Sequence, residues 1–201
     1  MKRLAKVILN LFHPFLIPIY VEAVLLFSGT IYALYPSKLK AYLMWAIVLY
    51  ATALPLLTVA LLKRIQRLRG REIQKRHKVT VMMLACAICY LLYAITMMRA
   101  PSLILFRKIA ISAALCTMAC LALSRFSRPS THLVAMGATV AFFVMLNIAG
   151  EPAVFWTLLC SLVVAGLLAS TRLYLGRNRS LQLLACFVTG FAICVVSMLY
   201  L

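Results

Sequence analysis

The sequence predicts an all-α fold, a polytopic helical bundle embedded in a membrane with about six to seven transmembrane helices. Composition, the spacing of apolar stretches and the placement of charge each point to it. Apolar residues make up 66% of the 201-residue chain and mean hydropathy is +1.05, well above the roughly 45–50% apolar share of soluble domains. Apolar segments fall near 14–35, 41–62, 79–98, 103–124, 132–149, 153–170 and 181–201, and most reach the roughly 20 residues that cross a hydrocarbon core. No polar stretch between them exceeds 63–78. A single membrane-embedded domain over 1–201 is therefore expected, without a soluble one.

Lys2, Arg3 and Lys6 precede an apolar stretch that lacks a small-residue cleavage site and continues past Pro14 and Pro18. This predicts an uncleaved first helix rather than a secretory signal. Residues 1–13 form an expected interfacial segment, with Ile8, Leu9, Leu11 and Phe12 towards lipid. The second segment leads into the basic loop 63–78, where Arg64, Arg67 and Arg71 fall at i, i+3 and i+7 on one helical face, and Arg71, Lys75 and Lys78 repeat that spacing. The loop reads as a topology anchor and lipid-headgroup rail, or as the source of one or two cations that reach a bound phosphate.

The seven cysteines, at 86, 89, 116, 120, 160, 186 and 194, all lie inside apolar segments. An odd, dispersed set of this kind is packing material rather than a disulfide framework. Cys86-Ala87-Ile88-Cys89 has CxxC spacing, but mid-membrane it lacks an electropositive setting and a second ligand pair for zinc.

Net charge is +18, and the N-terminus with loops 63–78, 125–131 and 171–180 holds 16 of the 21 Lys and Arg. Those four segments lie on one side. The loops at 36–40 and 99–108, on the other, hold five, so the positive-inside bias places the N-terminus and the three basic loops in the cytoplasm, with Leu201 outside. A cytoplasmic membrane is the expected location. Because the charge flanks membrane segments, anionic or phosphorylated lipids are the expected partners and nucleic acid is not.

The side-chain inventory excludes much chemistry. There is no aspartate, and glutamate occurs only at 22, 72 and 151. A carboxylate pair, a Ser-His-Asp triad and an oxygen-rich magnesium site cannot be assembled from these. The three histidines, 13, 77 and 132, are too dispersed for haem or zinc, and no Gly-rich phosphate loop occurs. No metal and no cofactor is expected; phosphate, if handled, meets cations and amide donors. Glu22 lies inside the first segment, where an ionisable group faces the bundle interior, either as a proton or substrate contact or as a hydrogen bond to a neighbouring helix.

Pro129-Ser130 directly before a helix supplies an N-cap and leaves N–H groups for an anion at the positive end of the helix dipole, with His132 on the first turn beside it. The plainer alternative is an ordinary helix start whose histidine meets the interface. Arg172, with Arg177 and Arg179, stands at the junction of the last two segments, on the same membrane side. Arg172 ends an apolar helix, from which it can snorkel to the surface or turn inward.

These residues resemble the phosphatidate phosphatase/haloperoxidase superfamily, the type 2 lipid phosphate phosphatases, whose three motifs read approximately K-x6-R-P, P-S-G-H and S-R-x5-H-x3-D. Here the second is Pro129-Ser130-Thr131-His132, and the third is Thr171-Arg172, five residues, Asn178, three residues, Gln182. Phe12-His13-Pro14, Ile17-Pro18-Ile19-Tyr20 and Leu54-Pro55 before a basic loop are similar to a bacterial multipass subgroup. The first motif is degraded: Arg64 with Arg71, Arg69 with Arg76, and Arg71 with Lys78 keep its spacing, and none is followed by proline.

The resemblance implies a core of five or six helices with one extra near the N-terminus, in a bacterial cytoplasmic (inner) membrane. It implies His132 as general acid, Arg172 as a phosphoryl clamp with Arg71, Arg76 and Lys78 as further phosphate ligands, and Ser130 as a donor. The nucleophile position is Asn178 and its orienting partner Gln182, and an asparagine amide does not attack phosphorus usefully. The expectation is a membrane protein that binds a phosphorylated lipid or similar anion with hydrolysis weak or lost. An active metal-independent lipid phosphate or pyrophosphate phosphatase, with His77 recruited, and a small transporter or structural subunit are the alternatives.

Overall fold

The computed structural model describes residues 7–9, 11–69, 75–98, 100–124, 129–176 and 179–200. They form α1 Ile17–Phe27, a short 3₁₀ turn Ile31–Leu34, α2 Ser37–Val48, a π turn Leu49–Ala53, α3 Leu54–Arg69, α4 Lys75–Met97, α5 Ile104–Leu123, α6 Thr131–Ile148, α7 Phe155–Tyr174 and α8 Ser180–Tyr200. There is no strand among the described residues. Among the described residues, six helical stretches are long and apolar enough to cross a membrane, beginning at Ser37, Val79, Ile104, Thr131, Pro152 and Ser180.

The first apolar segment is the exception: it does not form a full-length helix. Its α1 has 11 residues, about 16 Å at 1.5 Å each. Pro14 and Pro18 confine its start, and the bend at Ser28–Thr30 stops it where Gly29 takes φ +73°, a left-handed value favoured by glycine. Hydropathy runs through these breaks unchanged, which is why the segment reads as one span. Leu9 also departs from expectation, since it is buried rather than towards lipid.

Leu54-Pro55 has a local consequence. Pro55 has no N–H for the carbonyl of Ala51, and just upstream the ladder widens so that the Leu54 N–H reaches Leu49 O. The helix nevertheless continues through α3 to Arg69, so much of the basic stretch 63–78 is helical. Arg64 and Arg67 lie on that helix as the spacing predicts; Arg71 falls outside the described residues.

The central helix is α6, 61% of whose span is buried against 22% for the spans beginning at Ser37 and Pro152. Its closest neighbour is α8. A Cβ on Gly137 would run into the Phe187 carbonyl, and one on Gly190 into the Val134 carbonyl. Cys186, Gly190 and Cys194, spaced i, i+4, i+8, are all buried and form the small-residue stripe that permits this approach. In a bilayer, where burial from water does not drive helix pairing, such close packing supplies the adhesion. The expected packing role of cysteine holds for all but Cys160, which is exposed; no disulfide forms among the described residues.

The bundle has two distinct ends. At one, Tyr35 donates to Ser102 O at 2.8 Å, the Tyr32 ring meets Phe106 at 5.9 Å, and Lys108 donates to Met198 O at 2.6 Å. At the other, Leu9, His13, the start of α6 and the end of α7 meet around His132. Met82 and Met83, just beyond Lys78 on α4, line the same cavity as His13 and His132.

Candidate functional site

The site is built from two helix ends, the start of α6 and the end of α7, with Leu9 and His13 against them. Pro129-Ser130 leads into α6, and Ser130 is its N-cap residue with extended backbone, φ −88° and ψ 94°. Its carbonyl accepts from Leu133 and Val134 N–H at 3.0 and 3.1 Å, which starts the helix. The hydroxyl does not cap. Ser130 is 0% exposed, its Oγ has no partner among the described residues, and its N–H donates to Cys186 Sγ on α8 at 3.4 Å. The cap predicted from Pro-Ser thus keeps its place and loses its side-chain bond, leaving a buried polar atom that ordinarily costs about 1–3 kcal/mol.

His132, one residue into α6, turns inward and is 8% exposed. Its Nδ1 lies 2.7 Å from Arg172 Nη2 and its Nε2 3.1 Å from Leu9 O. Arginine only donates and a carbonyl only accepts. One neutral tautomer fits both contacts, with Nδ1 accepting from Arg172 and Nε2–H donating to Leu9. Arg172 occupies the last turn of α7, where the helix dipole favours a cation, and of its two options it turns inward. A guanidinium has five N–H donors and no acceptor.

Sequence reasoning did not single out the N-terminal segment as part of the site. His13 packs edge-on against His132 with ring centroids 5.9 Å apart, and its Nδ1 accepts weakly from Phe15 N–H at 3.5 Å. Burial pushes its pKa below the ordinary imidazole value, which favours a neutral ring. The signal was present in Phe12-His13-Pro14, where proline ends the local run and fixes the approach of His13. The Leu9 carbonyl carried none.

No family model matches the chain, and neither does a curated protein or a solved structure. What the site can do must be read from its residues.

The other expected ligands are distributed as follows. Gln182 lies on the first turn of α8, and its Oε1 accepts from Arg179 N–H at 3.3 Å, so it caps its own helix. Arg76 and Lys78 belong to the first turn of α4; their side chains, and all of Arg71, Asn178 and His77's side chain, lie outside the described residues. The structure brings together His132 and Arg172, adding His13 and the Leu9 carbonyl, with Ser130 two residues before His132 as the N-cap of the same helix. Among the described residues no group of His, Cys, Asp or Glu is placed to hold a metal. Glu22 is elsewhere, taking the Tyr93 hydroxyl at 2.9 and 3.0 Å in the bundle interior. This is the second of its two expected roles, a hydrogen bond to a neighbouring helix. The Arg172 guanidinium beside a neutral imidazole suits an anion.

Proposed function

We propose that the protein binds a phosphorylated lipid, or a similar membrane-borne phosphate, at the end of the bundle where His132 meets Arg172, and that it is phosphatase-like with hydrolysis weak or lost. The observation that carries this reading is the Arg172–His132 contact at 2.7 Å at the start of α6, whose N-cap residue Ser130 has a buried hydroxyl with no partner among the described residues. Residues matched to two separate phosphatase-like motifs lie together, in the order that resemblance implies. An anion entering there takes a guanidinium donor from Arg172, with the α6 N-terminus adding a favourable dipole.

Loss of turnover follows from Asn178 and Gln182, which stand where the resembling enzymes carry the attacking histidine and its aspartate. For His132 to protonate a leaving oxygen, its Nδ1 must first leave Arg172 and take up a proton, since in the contact with Arg172 it accepts and carries none. The charge-rich end faces the cytoplasm of a bacterial inner membrane in this reading, because positive segments resist export.

Binding of inorganic phosphate to the purified protein, followed by calorimetry at increasing salt, tests the site. Saturable binding that weakens with salt and falls at least tenfold in Arg172→Ala is expected, since the attraction is mainly Coulombic. Binding indifferent to both changes removes the phosphate site. Reporter fusions within 70–74 test the orientation separately.

A further inference from the structure

Beside His132 a cavity of about 170 Å³ enters the bundle between α1, α4, α5 and α6. Along α6 its lining runs from Thr131 to Phe142, and along α5 from Cys120 to Ile109; each is an eleven-residue rise, roughly 16 Å. The cavity is therefore elongated along the membrane normal. His13, Thr131 and His132 stand at its mouth, while Tyr90, Ile109, Phe142 and Cys194 lie towards its floor.

Its interior offers little to water. The hydroxyls of Ser112, Thr117 and Thr139, which line it, donate to carbonyls of their own helices at 2.8, 2.7 and 2.9 Å. Hydroxyls bound back to the helix in this way make few demands on a ligand, and a cavity holds water only where polar partners await it. The outer wall is Pro14, Phe15, Ile17, Pro18 and Val21, so the short, proline-bounded first segment leaves room that a straight helix at this position would fill.

We propose that this cavity holds one hydrocarbon chain of the bound lipid, drawn into the bundle alongside His132, so that the preferred ligand is a single-chain lipid phosphate. The headgroup part rests on the phosphate reading above; the slot rests on the cavity alone. Hydrocarbon leaving the bilayer for this cavity gains little from the hydrophobic effect. The slot accordingly selects and orients the chain more than it tightens binding, and the test must report position.

Dodecyl phosphate carrying a diazirine at its chain end, added to the protein in nanodiscs and irradiated, provides that. Label is expected on Ile109, Phe142 and Cys194, with inorganic phosphate competing, and it should fall at least fivefold in Ala138→Phe, which fills the slot from α6. Ala113→Phe, from the α5 wall, serves if the first variant does not fold. Label confined to lipid-facing Leu115, Leu162 and Leu184, which are exposed, overturns the slot even where phosphate binding remains sensitive to Arg172→Ala. Floor labelling that survives Arg172→Ala and excess phosphate, yet is lost in Ala138→Phe, supports the slot and removes the phosphate reading instead.

Discussion

Arg172 Nη2 and His132 Nδ1 lie 2.7 Å apart across 40 residues of sequence, joining the end of α7 to the start of α6. The contact fixes the imidazole as a neutral ring with its proton on Nε2, because the guanidinium cannot accept. It also sets Leu9 in place through the opposite nitrogen.

Nitrogen-15 NMR on histidine-labelled protein should accordingly show His132 with an unprotonated, accepting Nδ1 at neutral pH. Arg172→Ala should alter that resonance while leaving the Leu9 tie, so residues 7–13 stay protected from protease. His132→Ala should expose them several-fold faster. An Nδ1–H tautomer in the wild type contradicts the assignment.

The α6–α8 contact gives a prediction about stability. Gly137→Ala and Gly190→Ala each drive a methyl group into backbone carbonyl of the facing helix, and backbone, unlike a side-chain tip, has nowhere to rotate. Each should cost about 1–3 kcal/mol or more by overpacking. Gly166→Ala is the control: nothing lies within 4 Å of its Cβ position, and alanine is the better helix former by about 1 kcal/mol. Thermal unfolding in one detergent should rank Gly166→Ala at or above wild type and the other two several degrees below it. Equal melting of all three would mean that the two helices do not approach closely.

How much of this was legible beforehand depends on what kind of signal each feature leaves. The spans show in hydropathy because a bilayer demands runs of apolar residues about 20 long. Arg172 and His132 were readable through motif order. The truncated first segment was not, since Pro14, Pro18 and Gly29 interrupt a helix without lowering its hydropathy. Leu9 contributes a carbonyl, which every residue has. Gln182, which the resemblance puts at the position orienting the nucleophile, accepts from Arg179 N–H, a local bond that a long-range motif does not show. The small stripe on α8 was half seen: its cysteines read as packing material, but the partner glycine on α6 becomes evident only when the two helices are set together.

In the interior, Tyr93 on α4 donates to Glu22 on α1, with the Tyr50 ring 5.8 Å from that of Tyr93. Both members of the pair are essentially fully buried, so removing one strands the other. Tyr93→Phe should lower stability by about 1–3 kcal/mol, while Glu22→Gln, which retains an acceptor, should cost less. Glu22→Leu with Tyr93→Phe should cost less than the two single changes added together, because neither polar group is then left alone. Strict additivity in this cycle would show that the pair contributes no coupling.

The final prediction concerns chemistry. If the protein is a phosphatase-like fold whose attacking pair alone has changed, Asn178→His with Gln182→Asp should create or raise metal-independent release of phosphate from dodecyl phosphate, measured with excess chelator. Both changes are required: histidine alone lacks the carboxylate that selects the reactive tautomer and stabilises positive charge on the ring. The aspartate need not damage α8, since an acidic residue in a first turn is favoured by the helix dipole and replaces the Gln182 oxygen that now accepts from Arg179. In this restored background His132→Ala should slow turnover by about 10²-fold or more, the scale of a general acid, and Arg172→Ala should weaken phosphate binding. A folded double variant without activity argues against the phosphatase-like reading. Wild-type turnover that is lost in His132→Ala but indifferent to Asn178→Ala would instead mean that another residue attacks phosphorus, and His77→Ala is then the next variant to assay.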